Sequence, residues 1–186
     1  MSASNSQPGV PPMIELMSAC SDGTALRRAF GCFPSGVTAI CGLRAGLAVG
    51  MAASAFTSVS LDPPLVSLCV QNSSTTWPKL RELPRLGISV LNEDHADACR
   101  QLSGKAEDRF AGIEWSASTE GAVFMRHATA WLDCSVEREV PAGDHTMVLL
   151  RIHRFLADPA AAPLVFHASR FRRLAAVEPT PPAGQA

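Results

Sequence analysis

Two stretches of alternating character in the last third of the chain limit the folds open to it. In Thr129 to Val136, Ala130, Leu132, Cys134 and Val136 fall on one side, with Trp131, Asp133 and Ser135 on the other. In Thr146 to Leu156, Thr146, Val148, Leu150 and Ile152 alternate with Met147, Leu149, Arg151 and His153. A period of two is the pattern of a strand whose faces differ. The link Val140-Pro-Ala-Gly-Asp144 is too short for a parallel crossover, so the spacing predicts antiparallel pairing.

More strands are legible upstream. Val37 to Cys41 reads as a strand and Gly42 to Gly46 as a hairpin turn. The stretch from Gly46 to Val70 starts as a glycine-spaced strand and becomes a run of small and hydroxyl residues, Ala52 to Ser60. It turns at Leu61-Asp62-Pro63-Pro64 and returns as an apolar strand, Leu65 to Val70. Leu86 to Leu91 is another buried strand, and Leu164 to His167 a short one before a basic turn, Arg170 to Arg173. Helices are few. Asp22 or Thr24 caps a short one through Phe30, with Arg27 and Arg28 toward solvent. Trp77-Pro78 leads into a helix over Lys79 to Leu83. Asn92 caps a third, whose inner stripe is Ala96, Cys99 and Leu102 and which Gly104 closes. Lys105 to Gly121 reads as a loop anchored by Phe110, Ile113 and Trp115. Many strands with short turns and few helices predict a mainly β chain, a barrel with helical insertions, and not a doubly wound sheet.

With 186 residues, 47% of them hydrophobic and 18% charged, the chain suits one packed domain. It is assigned to 13–175, between Ser-, Pro- and Gly-rich tails at 1–12 and 176–186 that are expected to be mobile. A net charge of -1 argues against nucleic acid or a membrane surface as partner. No apolar run is long enough for a bilayer and no secretory signal is visible, so the cytoplasm is the expected location. Six cysteines without a C-x-x-C pair and five histidines without H-x-x-x-H spacing point to no metal.

The chemistry-bearing pattern is the small-residue run. Small side chains let a flat ligand approach the backbone, and hydroxyls with free amides hold polar ring edges and a phosphate. The same run also suits strands crossing at a barrel corner.

Five motifs then coincide in order: Phe33-Pro34-Ser35-Gly36-Val37-Thr38; Gly50 through Ala52-Ala53-Ser54-Ala55-Phe56-Thr57-Ser58-Val59-Ser60-Leu61-Asp62-Pro63-Pro64 to Val66; Cys69-Val70; Asp108-Arg109-Phe110; and Gly143-Asp144-His145. Their spacing resembles the flavin reductase-like family of the FMN-binding split barrel, the small reductase partners of two-component flavin monooxygenases. The resemblance covers about residues 24–174. It implies a Greek-key barrel, usually a homodimer, with flavin in a groove near the dimer interface. The activity implied is that of an NAD(P)H:flavin oxidoreductase, with FMN or FAD as acceptor, NADH or NADPH as reductant, and a separate oxygenase as partner.

By that resemblance the backbone of Met51, Ala52, Ala53, Ser54 and Ala55 runs along the flavin ring edge. Ser35 and Ser54 lend hydroxyls there, with Gly36, Val37, Thr38 and Phe110 contributed by the flanking motifs. The ribityl chain and phosphate need donors, which Ser58, Ser60, Gln71, Asn72, Ser73, Ser74 and Thr76 can supply. The last four lead into a helix start, which favours a phosphate; an ordinary Ser/Thr-rich cap fits them equally. Lys79 is a nearby cation. The family sets the histidine of its Gly-Asp-His motif beside the nicotinamide, so His145, next to Asp144, is the candidate catalytic residue, able to donate a hydrogen bond that holds the ring. No acid–base pair is required, because hydride transfer depends on stacking and alignment. Phe166-His167-Ala168-Ser169-Arg170-Phe171 departs from the family, which commonly has tyrosines and a glycine there; this chain has no tyrosine. Phe166 and Phe171 offer stacking faces and Arg170 a charge for a pyrophosphate, or they cover the barrel end. The departure leaves a flavin carrier without nicotinamide chemistry as the rival reading, and a barrel that binds no flavin as a third.

Overall fold

The computed structural model describes Leu16, Ser18 and residues 22–106 and 108–175; the two predicted tails, 1–12 and 176–186, lie outside the described residues. The carboxylate of Asp22 accepts from the Thr24 amide at 2.8 Å and caps α1 (Gly23–Gly31). Strands β1 (Ser35–Gly36), β2 (Thr38–Arg44), β3 (Leu47–Ala53), β4 (Phe56–Leu61) and β5 (Pro64–Gln71) follow. Then come α2 (Trp77–Leu80), β6 (Leu86–Val90), a 3₁₀ turn over Glu93–His95, and α3 (Ala96–Ser103). The rest is strand: β7 (Trp115–Ala117), β8 (Val123–Met125), β9 (Ala130–Ala142), β10 (His145–Ala157), β11 (Val165–His167) and β12 (Arg170–Arg172).

The turns are tighter than the sequence suggests. The first hairpin turns at Ala45-Gly46 alone, with φ of 51° and 79°. The β9–β10 hairpin turns at Gly143-Asp144, with φ 65° at Gly143, instead of over Val140 to Asp144. Two-residue turns with left-handed backbone match the twist of the strands they join, so the strands run on to the turn. The predicted basic turn is instead β12, turned at Ala168-Ser169. The helix expected over Lys79 to Leu83 is Trp77–Leu80. Leu83 precedes Pro84, which disfavours helical backbone, and it packs against the core instead. The predicted loop Lys105 to Gly121 contains β7, paired with β8.

Seven strands form one antiparallel sheet in the order β3-β2-β6-β9-β10-β5-β4. β3 and β4 are its opposite edges, yet only Ser54-Ala55 separates them in the chain. That link spans at most about 11 Å, so the sheet must curl until its edges meet at the bend. This is the Greek-key split barrel implied by the resemblance, and the split falls at the small-residue run.

β2 is buried on both sides. Ile40 joins the core inside the barrel with Leu68, Leu86, Ile88, Val148 and Leu150. Ala39 and Cys41 join a second core, with Leu102, Val123 and Met125, between the sheet and α3. Burial pushes the Cys41 and Cys134 thiols up to about 12, so both behave as small apolar groups. Asp133, expected to share a face with Ser135, is 3% exposed; its carboxylate accepts from Arg154 at 2.7 and 3.0 Å.

Candidate functional site

The bend is fixed from both sides. The Thr38 hydroxyl donates to the Ala53 carbonyl at 3.1 Å, and the Cys69 amide donates to the Ala55 carbonyl at 3.2 Å. Ser54 and Ala55 themselves are exposed. Among the described residues no large side chain fills the space above them, and two cavities meet there. One, of about 510 Å³, is lined by Met51 to Ala55, Gln71, Ser73 to Thr76, Ser103, Lys105, Arg109 and His145. The other, of about 620 Å³, is lined by Val37, Ala52 to Ser54, Cys99, Arg100, Phe166, Arg170 and Phe171, among others. They share Ala52, Ala53, Ser54 and Ser103, so they form one groove floored by short side chains.

Of the residues singled out in the sequence, Met51, Ala52, Ala53, Ser54, Ala55, Gln71, Ser73, Ser74, Thr76 and His145 come together in the first cavity. Val37, Phe166, Arg170 and Phe171 come together in the second. Lys79 and Phe110 line a separate space behind the first. The others have structural partners. Ser35 and Gly36 pair with Phe166 and Val165 and hold the β11–β12 hairpin against the barrel. Thr38 is buried on the Ala53 carbonyl. Ser58 and Ser60 lie along β4, outside the lining of either cavity.

Asn72 and Asp144 act on the turn that carries His145. The Asn72 side-chain amide donates to the Gly143 carbonyl at 3.2 Å, its oxygen accepts from the Thr146 hydroxyl at 2.9 Å, and its backbone amide donates to the Asp144 carbonyl at 3.0 Å. Asp144 Oδ1 lies 2.7 Å from His145 Nδ1. An ionised carboxylate only accepts, so the hydrogen sits on Nδ1. Nδ1 is thereby engaged within the turn, and Nε2 is the ring nitrogen left for a ligand. The His145 hydrogen bond holds the Asp144 carboxyl below its usual value.

The polar run before α2 is an internal scaffold as well as a wall. Ser74 Oγ accepts from the Trp77 amide at 3.1 Å, starting the short helix. The Thr76 hydroxyl, on a residue 7% exposed, accepts from Arg109 Nη1 at 2.9 Å, and Arg109 also donates to the Leu102 carbonyl at 3.3 Å. Two tethers aim the Arg109 guanidinium at the cavity. Of Asp108-Arg109-Phe110 the sequence points to Phe110 and not to Arg109, because nothing local says which way that loop folds. Phe110 instead stands behind the strand: a Cβ at Gly50 would come within 2.9 Å of its ring. Lys105 and Ser103 were also missed; they reach the groove only because α3 packs across β3.

In the second cavity the Arg100 guanidinium lies 5.1 Å from the Phe171 ring centroid and pairs with Asp97. Phe171 meets Phe166 edge-on at 5.6 Å. One face of Phe171 is thus covered by a cation, and both side chains line this cavity. Burial raises the Cys99 thiol, which stays neutral in this wall. A flat ring with polar edges and a phosphate fits the first cavity by its short-chained floor, its hydroxyls and its two cations, Lys105 and Arg109.

A family model described as a flavin reductase like domain matches residues 30–175. A probable flavin reductase of Rhizobium meliloti is 38% identical over 135 residues, 72% of this chain, and the chain spans 43% of that relative's length. The reductase subunit HsaB of a flavin-dependent monooxygenase of Mycobacterium tuberculosis is 31% identical over 167 residues, 89% of each chain. The solved NADH:FAD oxidoreductase of Streptomyces globisporus, in complex with NAD and FAD fragments, is 36% identical and has a TM-score of 0.81, covering 92% of this chain and 100% of its own.

Proposed function

The chain belongs to the family of flavin reductase-like domains, and from that premise we propose that its groove seats a flavin in one cavity and a reduced nicotinamide nucleotide in the other. The protein is an oxidoreductase that passes hydride from NAD(P)H to flavin. The observation that carries the assignment of parts is the shared floor: Ala52, Ala53 and Ser54 belong to both cavities, so two flat ligands meet face to face above them.

Bound flavin supplies the hydride acceptor. Every other contribution comes from the chain. Short side chains at Ala52, Ala53 and Ser54 leave the backbone free to run beside the ring. Arg109, tethered by Thr76 and the Leu102 carbonyl, joins Lys105 in neutralising a phosphate. His145 Nε2 hydrogen-bonds the nicotinamide carboxamide while Asp144 holds the ring through Nδ1. Arg100 and Arg170 face the phosphates of the second nucleotide. Holding two reactants in stacking register turns a bimolecular step into a positioned one.

The family's oxygenase partnership extends to this chain as part of the proposal: reduced flavin leaves the groove for a separate monooxygenase. So does a homodimer. Val140 and Met147 pair across β9–β10 and are 41% and 39% exposed, and the edge strand β4 carries Val59 and Leu61 in solvent. An unpaired edge beside exposed apolar side chains is suited to a second copy. No helix among the described residues is long and apolar enough to cross a membrane. Cys32, Cys41, Cys69, Cys99 and Cys134 are free thiols, which suits the cytoplasm.

The test is loss of absorbance at the reduced-nicotinamide band when purified protein is mixed with NADH or NADPH and with FMN or FAD in turn. Oxidation that needs both protein and flavin is expected. No acceleration with any pairing would end the reading.

A further inference from the structure

α3 is fastened at its start by a histidine outside the groove. Asn92 and His95 form a reciprocal cap over the 3₁₀ turn: Asn92 Oδ1 accepts from the Asp94 amide at 3.0 Å, and His95 Nδ1 accepts from the Asn92 amide at 3.2 Å. The Asn92 side-chain amide donates to the His127 carbonyl at 2.8 Å, which ties the same turn to the chain just past β8. A ring nitrogen that accepts is unprotonated, so this hold exists only while His95 is neutral. The half-buried ring lines a cavity of about 290 Å³ between α3 and the segments 112–114 and 125–127.

Each element around the ring carries charge. The turn and α3 supply Glu93 and Asp94, which pair with Arg173 at 3.2 and 3.4 Å, and Asp97. Segment 112–114 supplies Glu114, with Arg126 and His127 at 3.8 and 3.7 Å from its carboxylate. Burial pulls the His95 value below the usual 6.5; the Arg126 backbone and Asp94 oppose this, and His127 adds to it. Protonation turns Nδ1 into a second donor facing the Asn92 amide and sets a cation beside His127.

What the cap holds reaches the groove. Asp97, in the first turn of α3, pairs with Arg100, whose guanidinium lies 5.1 Å from the Phe171 ring centroid; Arg100 and Cys99 line the second cavity. The first cavity meets only the far end of α3, at Leu102 and Ser103. Resting on the reading of the second cavity as the nucleotide seat, we propose that His95 is a positioning residue for hydride transfer: its neutral ring fixes the first turn of α3, and so Arg100, where the nucleotide binds, and mild acid releases that hold. The sign follows from the lowered value: the hold is present above 6.5 and fades as pH falls through the folded value.

The test is the KM for NADH and the flavin Kd between about pH 5 and 8, for the unaltered chain, His95→Gln and His95→Leu. Gln keeps an acceptor for the Asn92 amide and cannot titrate; Leu keeps bulk and offers no acceptor. In the unaltered chain the KM for NADH is expected to rise about fivefold toward the acid end, the scale of one lost helix cap, with flavin Kd within about twofold. His95→Gln should flatten that rise while matching the unaltered KM at the alkaline end, and His95→Leu should show a raised KM throughout. A rise that persists in His95→Gln would assign it to another group, His145 among them, and overturn the proposal. So would a flat KM in the unaltered enzyme, or a flavin Kd that moves in step with the KM, the mark of general loosening. Absence of NADH oxidation at every pH would instead bring down the nucleotide reading, and this role with it.

Discussion

Asp144 and His145 are joined side chain to side chain at the mouth of the β9–β10 turn, Oδ1 to Nδ1 at 2.7 Å, with Asn72 bonded to the carbonyls of Gly143 and Asp144. The ring is thereby oriented by its sequence neighbour, and the turn by a residue just past the end of β5. His145→Ala is expected to lower kcat/KM for NADH by about tenfold or more, while flavin Kd stays within about twofold. Steady-state kinetics beside a flavin titration checks the split; equal losses in both would remove His145 from the nicotinamide.

Asp144 is a positioning residue and fully exposed, so its effect is small. Asp144→Asn is expected to raise the KM for NADH by no more than about fivefold, the scale of an exposed pair, with high salt reducing the difference. The sign with pH follows from its lowered carboxyl value. The pair is intact above the ordinary value of 3.8 and is lost only as pH falls through the lower, folded value. Asp144 therefore adds no step to a rate profile between about pH 5 and 8. A step present in the unaltered enzyme and absent in the Asn variant would contradict this.

Ser54 sits exposed at the split, on the floor common to both cavities. Ser54→Trp should weaken flavin binding more than tenfold on the order-of-magnitude scale of a blocked pocket, with the far-ultraviolet circular dichroism unchanged. Flavin titration against an unaltered spectrum reads both at once.

Arg109 is expected to matter for either flavin. Removing a tethered guanidinium from a phosphate costs roughly ten- to a hundredfold in Kd. Arg109→Ala should therefore weaken FMN and FAD alike. A loss for FAD alone would move Arg109 out of the shared phosphate position.

Gly87 packs against the backbone of β8: a Cβ there would lie 2.0 Å from the Val123 carbonyl oxygen. Backbone cannot give way as a side chain can, so Gly87→Ala should destabilise by about 3 kcal/mol or more. For a chain of this size that corresponds to a fall in Tm of roughly 6–12 °C, readable by thermal denaturation. An unchanged Tm would mean that β8 moves freely against the sheet.

The strands and their antiparallel pairing were legible because alternation is a local property: Val148, Leu150 and Ile152 do turn to the core while Met147 stays 39% exposed. The bend was legible for the same reason, since Ala52 to Ala55 and the paired prolines specify backbone freedom and a turn whatever surrounds them. Asn72, Thr76 and Thr38 look in sequence like ligand donors, and only the folded structure shows that each also has a protein partner, the Gly143 carbonyl, Arg109 and the Ala53 carbonyl. Arg109, Lys105 and Arg100 were not legible as groove residues, because a cation's role depends on which loop or helix crosses β3, and that is decided by long-range packing of α3 and Phe110. The sequence by itself determined a curled antiparallel sheet with a small-residue corner, since period and residue size act over a few neighbours. Only the tertiary structure decided what surrounds that corner, because side chains far apart along the chain meet there only after the sheet has closed.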